Sequence, residues 1–543
     1  MTATIVIPAA GAARRMGGED KLLRHVDGVP LIRRAALHAL ASGQRVLVTL
    51  RPNDGARRAA LAGLALRVLP VGDHATGMSA SLRCAAADTG PASPLMILPA
   101  DMPEIGAGDL ERLWTAHAAN PERIIQGMAG SIPGHPVILP PDIVPEMGLL
   151  SGDTGARAIL TKHHRRILPV PLFERRAILD LDTPQDWEDW SVSRPATDLS
   201  EDGPRDPFAA ALDDPEDCVL AVITAVHGTG WRRAGAMMCL WRDGRIDGQL
   251  TGGCIEADLA LHVRQVLDGG RPVTLRYGIG SPFFDIRLPC GGGLDITLFP
   301  VGDTRSLRDM ACLDRGRVRT ALRFQPDGAI GLDPTGRTGW RGFDFVAARV
   351  PEIQFLVFGQ GEDASLFARL AKSAGYNVVR ADEAGPGAAV GGAVDPDSPD
   401  GGDILLLADA RTAVLTFHHD HEKDVGIIAA ALRGPACYVG ALGSRRVAAR
   451  RLRLLQEAGI DPDRLARLHA PVGLIPSTRD ARGLALSILA EIVALDLALR
   501  TRSAVRADGC NDIETIGTRS GRSASFPPTE SDHILTRGSG RRP

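Results

Sequence analysis

At 543 residues the chain exceeds what one hydrophobic core organises, and about three globular units are expected. Its 62 Lys and Arg nearly balance 65 Asp and Glu, so the positive field of a dedicated nucleic-acid binder is missing and nucleic acid is excluded as a partner. A hydrophobic fraction of 44% with 23% charged residues excludes a chain disordered throughout, and eight cysteines without a CxxC spacing exclude a disulfide scaffold or a zinc ribbon.

The first predicted element is a β-branched strand over 4–7, followed by the small-residue loop Ala9-Ala10-Gly11-Ala12-Ala13 and then Arg14-Arg15-Met16-Gly17. A helix is predicted over 30–41 and strands over 45–50, 67–70 and 95–99, the alternation of a mostly parallel α/β sheet within 1–190. Such sheets bind ligands at the carboxyl ends of their strands, where the first loop and Asp101-Met102-Pro103 both lie. Residues 191–216 are polar and rich in proline and read as a linker. The unit 217–347 reads as strands with glycine turns, over 219–226, 236–241 and 247–250, and a helix over 255–267. A third unit, 348–500, opens with a strand over 353–358, the turn Gly359-Gln360-Gly361, a helix over 362–374 and a strand over 377–380. A flexible loop is expected near 385–402, and 501–543 is expected to be disordered.

The start of the chain lacks the basic and apolar regions of a secretory signal, and the apolar stretch 481–499 is broken by Arg482, Glu491 and Asp496. A cytoplasmic protein away from membranes is therefore expected, and a homodimer is compatible with it.

In the first loop, free backbone N–H groups and small side chains let a triphosphate approach closely, with Arg15 and Lys21 following. Lysine is scarce, Lys21, Lys162, Lys372 and Lys423 being the four in the chain, so a lysine at this place points to a need for a compact ammonium. Nucleotidyl transfer neutralises charge on the attacked phosphate and the leaving pyrophosphate with fixed cations and a metal, and Asp101 at a strand exit is placed to hold Mg²⁺.

The segment Pro8 to Lys21, PAAGAARRMGGEDK, resembles the loop signature of the MobA-like nucleotidyltransferases. Further matches follow in order: Gly77-Met78-Ser79-Ala80-Ser81-Leu82, Leu98 to Pro103, Gly134-His135-Pro136-Val137, Gly152 to Arg157, and Leu181-Asp182-Thr183-Pro184. The resemblance is nearest to the molybdenum cofactor cytidylyltransferases, which join CMP from CTP to the phosphate of molybdopterin and release pyrophosphate. It implies a Rossmann-like fold. It also implies that Ala9, Ala10, Gly11, Arg15, Lys21, Asp73, Gly77 and Ser79 bind nucleotide, that Arg15, Lys21 and Asp101 are catalytic, and that Asp101 and Asp182 hold Mg²⁺. Ala13 replaces the serine of the loop pattern, and the spacing from Gly17 to Lys21 also suits guanylyltransferases, so CTP is favoured over GTP on the motifs together.

In the second unit, Thr251-Gly252-Gly253-Cys254-Ile255-Glu256 puts a cysteine at a predicted helix start, where the helix dipole favours a thiolate, and Pro289-Cys290-Gly291-Gly292 offers a second. Buried cysteines beside tight turns are the plainer reading of spacing alone. This region, with Tyr438 to Arg446, Pro471-Val472-Gly473-Leu474 and Ser487 to Ile492, resembles the XdhC/CoxI proteins, which bind molybdenum cofactor and help deliver it to xanthine dehydrogenase-like enzymes. The resemblance implies a mixed α/β domain followed by a second Rossmann-like domain, cofactor contacts at Gly253, Cys254, Glu256 and Cys290, and a molybdenum hydroxylase of xanthine dehydrogenase type as partner. The alternatives are another cytidylyl- or guanylyltransferase of the same fold and a non-catalytic cofactor chaperone. Gly359 to Ala364 with Asp382 imitates a dinucleotide fingerprint, but Glu362 and Asp363 at the helix start would repel a pyrophosphate, which weighs against NAD. The run His418 to Asp424 reads as a structured loop in preference to a metal site.

Overall fold

The computed structural model of the protein describes residues 3–505 except 12–15, 17–18, 74–77, 91, 153–154, 194–205, 229–231, 254, 282–290, 334–335, 382–401, 419–420 and 477, with backbone alone at 193, 402–403, 421–423 and 501–505. Residues 1–498 form one compact unit, and the remainder contributes only the end of the last helix to the described residues.

The first part carries strands β1 (Thr4–Pro8), β2 (His25–Val26), β3 (Val29–Pro30), β4 (Arg45–Leu50), β5 (Arg67–Pro70), β6 (Leu95–Ile97), β7 (Ile124–Ala129), β8 (Ile132–Leu139) and β9 (Ile167–Pro171). Its helices are α1 (Leu31–Ala41), α2 (Gly55–Ala60), α3 (Met78–Asp88), α4 (Ala107–Ala119), α5 (Arg157–Lys162) and α6 (Pro184–Ser193). Seven strands form one sheet in the order β5-β4-β1-β6-β8-β7-β9, with β2 and β3 a separate hairpin. β1 pairs parallel with β4 and β6, in register Thr4 with Arg45 and Leu95, and β8 runs antiparallel to β6. The sequence of β1 explains its central place: Ile5 and Ile7 enter one core cluster while Val6 enters the other, so the strand is apolar on both faces. Since β1 and β6 are parallel neighbours, the loop after Pro8 and the exit toward Asp101 emerge side by side.

The second part holds α7 (Pro207–Asp213), β10 (Cys218–His227), β11 (Met237–Trp241), β12 (Ile246–Asp247), α8 (Glu256–Gly269), β13 (Val273–Gly278), β14 (Gly293–Pro300), α9 (Arg305–Arg315), β15 (Thr320–Phe324), β16 (Ile330–Leu332), β17 (Gly339–Arg341) and β18 (Asp344–Arg349). They build an antiparallel sheet β12-β11-β10-β14-β13 and a four-stranded sheet β16-β15-β18-β17. Leu220 and Val222 of the first sheet share a core with Leu322 and Phe345 of the second, while Leu259 and Val263 of α8 cover the opposite face of β10.

Two sequence expectations are corrected here. The stretch read as linker to residue 216 contains α7, with Phe208, Ala210 and Ala211 buried in that core. Proline misled the reading, because Pro207 occupies the first helical turn behind Asp206, whose carboxylate accepts from Phe208 N at 3.2 Å. The strand expected over 247–250 stops at Asp247, since Gly248 has φ of 90° and a side chain there would crowd Pro207 and Met238.

The third part contains β19 (Gln354–Phe358), α10 (Glu362–Ser373), β20 (Asn377–Arg380), β21 (Thr412–Thr416), α11 (His421–Arg433), β22 (Tyr438–Ala441), α12 (Arg445–Glu457), α13 (Pro462–Leu465), β23 (Leu468–His469) and α14 (Ala481–Val505). All five strands are parallel in the order β20-β19-β21-β22-β23, the doubly wound pattern with a switch point between β19 and β21. The fold class is thus α/β, with Rossmann-like sheets at either end. No helix among the described residues is long and apolar enough to cross a membrane.

Candidate functional site

The loop after β1 is held from below. Ala9 N donates to Thr49 O at 3.1 Å on the neighbouring strand. Arg57 of α2, 1% exposed, donates through Nη1 to Ala9 O at 2.6 Å and to Gly11 O at 3.0 Å. The other side of its guanidinium takes Asp20 in a two-pronged grip, Nε to Oδ2 at 2.7 Å and Nη2 to Oδ1 at 2.8 Å. Asp20 in turn caps the single 3₁₀ turn Lys21–Leu23, accepting from Leu22 N at 3.1 Å. One buried arginine therefore fixes both the loop backbone and the residue preceding Lys21. Sequence reasoning missed Arg57, whose only local signal is the capping Asp54 before α2.

Two acids meet Lys21. Asp101 leaves β6 in line with β1, and Asp101 O accepts from Leu181 N at 3.0 Å, which draws the segment bearing Asp182 alongside. Asp186 fastens that segment, accepting from Asp182 N at 3.1 Å and Thr183 N at 2.7 Å. Lys21 Nζ lies 2.5 Å from Asp101 Oδ2 and also donates to Asp182 Oδ1. Burial alone would lower the lysine pKa, but the two carboxylates outweigh it and hold the ammonium above its ordinary value. Burial first, and then the charges of Asp101 and Asp182, hold the Asp180 carboxyl close by above its ordinary value.

His135 borders the same acids. Gly134 lies so close to Ala177 that a side chain there would come within 1.9 Å of Ala177 O, and His135 N donates to that carbonyl at 2.8 Å. Burial lowers the imidazole pKa against the pull of Asp101, and Nδ1 is buried with no hydrogen-bond partner among the described residues. Ser79 Oγ is also buried without such a partner, and Ser79 N ties the start of α3 to Gly152 O at 3.3 Å. Asp73 accepts from Arg83 Nη2, while Arg83 Nη1 reaches Leu150 O at 2.7 Å, so Asp73 braces α3. Ala9 and Ala10 are buried and Gly11 is exposed. Arg15 and Gly77 lie outside the described residues.

Around Lys21 the structure places two carboxylates, oxygen donors of a kind that could hold a cation. Two carboxylates from separate segments reach a single positive nitrogen, so one divalent ion in that place could meet both. Hard oxygen donors, few in number, are the ligand type that Mg²⁺ takes alongside phosphate oxygens. Among the described residues no cluster of three or more His, Cys, Asp or Glu converges as a transition-metal cage would.

In the second part, Cys254 and Cys290 lie outside the described residues. Gly253 is exposed, with φ of 97° and open space around it. Glu256, expected as a cofactor contact, faces its own loop: its buried carboxylate accepts from Thr251 N at 2.7 Å, Thr251 Oγ1 at 2.8 Å and Ile255 N at 3.1 Å. Burial pushes its pKa up, but the hydrogen bonds from Thr251 and Ile255 prevail and hold it below the ordinary value. Glu256 is thus a brace for the loop around position 254. Near the end of β10, His227 Nε2 meets Asp295 Oδ2 at 3.1 Å, and Arg276 Nε meets Asp295 Oδ1 at 2.6 Å.

At the switch point of the third part, Gly359 has φ of 121° and a side chain there would strike Phe417 backbone at 2.9 Å. Glu362 and Asp363 occupy the first turn of α10. Of the run 418–424, His418 Nδ1 pairs with Asp424 Oδ1 at 2.8 Å, and Arg451 Nη2 reaches Asp424 Oδ2 at 2.7 Å. Residues 419–420 lie outside the described set.

Comparison with known proteins finds three matched stretches. Residues 5–167 match the MobA-like NTP transferase domain, 211–278 the XdhC and CoxI family, and 355–492 the XdhC Rossmann domain. The molybdenum cofactor insertion chaperone PaoD of Escherichia coli is 34% identical over 291 residues, 53% of this chain and 86% of that protein. A probable xanthine dehydrogenase subunit from Bacillus subtilis is 27% identical over 52% of this chain and 94% of its own length. Among solved structures, a xanthine dehydrogenase from Bacillus halodurans aligns with a TM-score of 0.42 at 24% identity, over 54% of this chain and 95% of its own.

Proposed function

The chain belongs to the XdhC and CoxI family and carries a MobA-like NTP transferase domain ahead of that part, and we propose that it joins a cytidylyl group to molybdopterin and then holds the product for a molybdenum hydroxylase. The observation that carries the transferase reading is the convergence of Asp101 and Asp182 on one cation beside the small-residue loop. Asp101 and Asp182 would hold Mg²⁺. When bound, that ion neutralises the triphosphate and the departing pyrophosphate. Lys21, exchanged from the acids to the phosphates, adds a second positive charge, and Arg15 a third. The backbone of Ala9 to Gly11, locked by Arg57, keeps the phosphates in place for in-line attack. A molybdopterin phosphate oxygen attacks the α-phosphorus of CTP, the bond from that phosphorus to the bridging oxygen breaks, and pyrophosphate leaves with the electron pair. No protein nucleophile is needed.

CTP is the base choice supported by the loop, GMSASL and GHP motifs, and a cytoplasmic setting is part of this reading. In the second part, the loop braced by Glu256 would present Cys254, with Gly253 giving bare backbone and Cys290 behind, to the cofactor. The full chain incubated with molybdopterin cofactor, Mg²⁺ and labelled CTP, GTP or ATP in turn tests the proposal. Label from CTP in a cytosine dinucleotide is expected, and label from GTP alone would make the domain a guanylyltransferase.

A second reading is favoured by the insertion-chaperone relative: the chain binds molybdenum cofactor without transferring nucleotide. Cofactor binding with no label from any nucleotide is its signature. In either case Cys254→Ala in the full chain is expected to weaken cofactor binding about tenfold, measured by fluorescence titration, and unchanged affinity would reduce Cys254 to a packing residue.

A further inference from the structure

α9 belongs to the second part of the chain, yet two of its charged side chains end in the first. Asp309, 3% exposed, meets Arg33 of α1, 5% exposed, in a two-pronged pair with Nε to Oδ1 at 2.6 Å. The pair joins residues far apart in sequence and is sealed by Val29, Leu37, Cys312 and Leu313, which form one buried cluster across the same boundary. Separating the partners of a buried ion pair leaves an uncompensated charge, so the pair disfavours opening of this contact. At the rim of this contact Arg315 Nη1 lies 3.2 Å from Asp27 Oδ1, and Arg34 lies 3.6 Å from the same carboxylate.

Both contacts run on into the Lys21 segment. Arg33 also donates through Nη1 to Ala60 O at 2.7 Å and Ala62 O at 2.9 Å, at the end of α2, the helix whose Arg57 grips Asp20 and the carbonyls of Ala9 and Gly11. Asp27 is the turn of the β2–β3 hairpin, which follows the Lys21–Leu23 turn directly and is closed by Leu31 N donating to Arg24 O at 2.9 Å. One chain of contacts thus passes from Asp309 through Arg33 and α2 to Asp20, and a second from Arg315 through Asp27 and the hairpin to Lys21.

We propose that α9 is the brace for the Lys21 segment, so that the XdhC part of the chain positions the nucleotide-site lysine of the transferase-like part. The two parts work as one body at this surface. Asp309 and Arg315 are positioning residues, acting on Lys21 only through Arg33 and Asp27.

Hydrogen exchange on the full-length protein reads this directly and does not depend on any catalytic assignment. In Arg315→Ala, whose side chain is 52% exposed and leaves the core intact, amides in 20–31 are expected to exchange about threefold faster, with 219–226 of β10 unchanged as the internal control. Asp309→Ala is expected to speed 20–31 and 55–62 together. Arg276→Ala, which breaks a comparable ion pair with Asp295 away from this surface, should leave 20–31 at the native rate. If Asp309→Ala also speeds 219–226, the fold itself has loosened and Arg315→Ala decides alone. Native exchange across 20–31 in Arg315→Ala overturns the proposal.

Discussion

The acids of the first cleft and the acid of the second loop are used in opposite ways. Asp101 and Asp182 turn carboxylate oxygens to a lysine ammonium, a compact point charge on a long stem from another segment of the chain. Glu256 spends its oxygens on the N–H groups and hydroxyl of its own loop, partners that stay covalently in place. The first arrangement joins acids to a charge from a distant segment. The second binds an acid to its own backbone and carries shape.

Four perturbations probe that contrast. The largest effect is expected from Asp101→Ala, which should lower nucleotidyl transfer by about a thousandfold and abolish Mn²⁺ binding followed by electron paramagnetic resonance, while the fold persists. Glu256→Ala should instead leave Mn²⁺ binding intact. Arg57→Ala should cost about 3 kcal/mol of stability in denaturant titration, because it strips Asp20 of its buried partner and the loop of its two tethers. Glu256→Ala should cost about 2 kcal/mol by the same measurement, since Thr251 N and Ile255 N lose a charged acceptor inside the loop; no loss of stability would return Glu256 to the list of free acids.

The smallest effect concerns His38 of α1, buried against Gly316, with both ring nitrogens lacking hydrogen-bond partners among the described residues. Burial, then the charges of Arg34 and Arg176, hold its pKa well below 6.5. The folded protein therefore binds fewer protons than the unfolded chain below about pH 6.5 and loses stability as pH falls, by up to about 1.4 kcal/mol per pH unit. His38→Leu should flatten that part of the stability profile, and an unchanged slope would remove His38 as its source.

Much of the first sheet was legible in the sequence, because β1, β4 and β5 are short, mostly apolar runs bounded by turn residues. The loop at Ala9, Lys21 and the acids at 101 and 182 were legible as motifs, though not the direct contact of the lysine with both acids. Arg57 and Asp309 were invisible, since an arginine or aspartate in an amphipathic helix looks like solvated surface until the helix is placed against its neighbour. α7 was hidden for a different reason, proline at a helix start reading as linker. Glu256 showed the limit of motif reading, for its place in the chain said nothing of which way its oxygens turn.

The position of α7 has a practical consequence for anyone dividing the gene. A fragment opened at Cys218 would begin neatly at a strand, yet it would strip Phe208, Ala210 and Ala211 from the core beneath β11 and leave Cys239 Sγ without Pro207 O, its acceptor at 2.8 Å. It would also take from Arg349 one of its two carboxylate partners, Asp206, leaving Asp314. A cut before Asp206 keeps α7 and its cap with this core, though it still parts Asp309 from Arg33 and opens the cluster of Cys312 and Leu313.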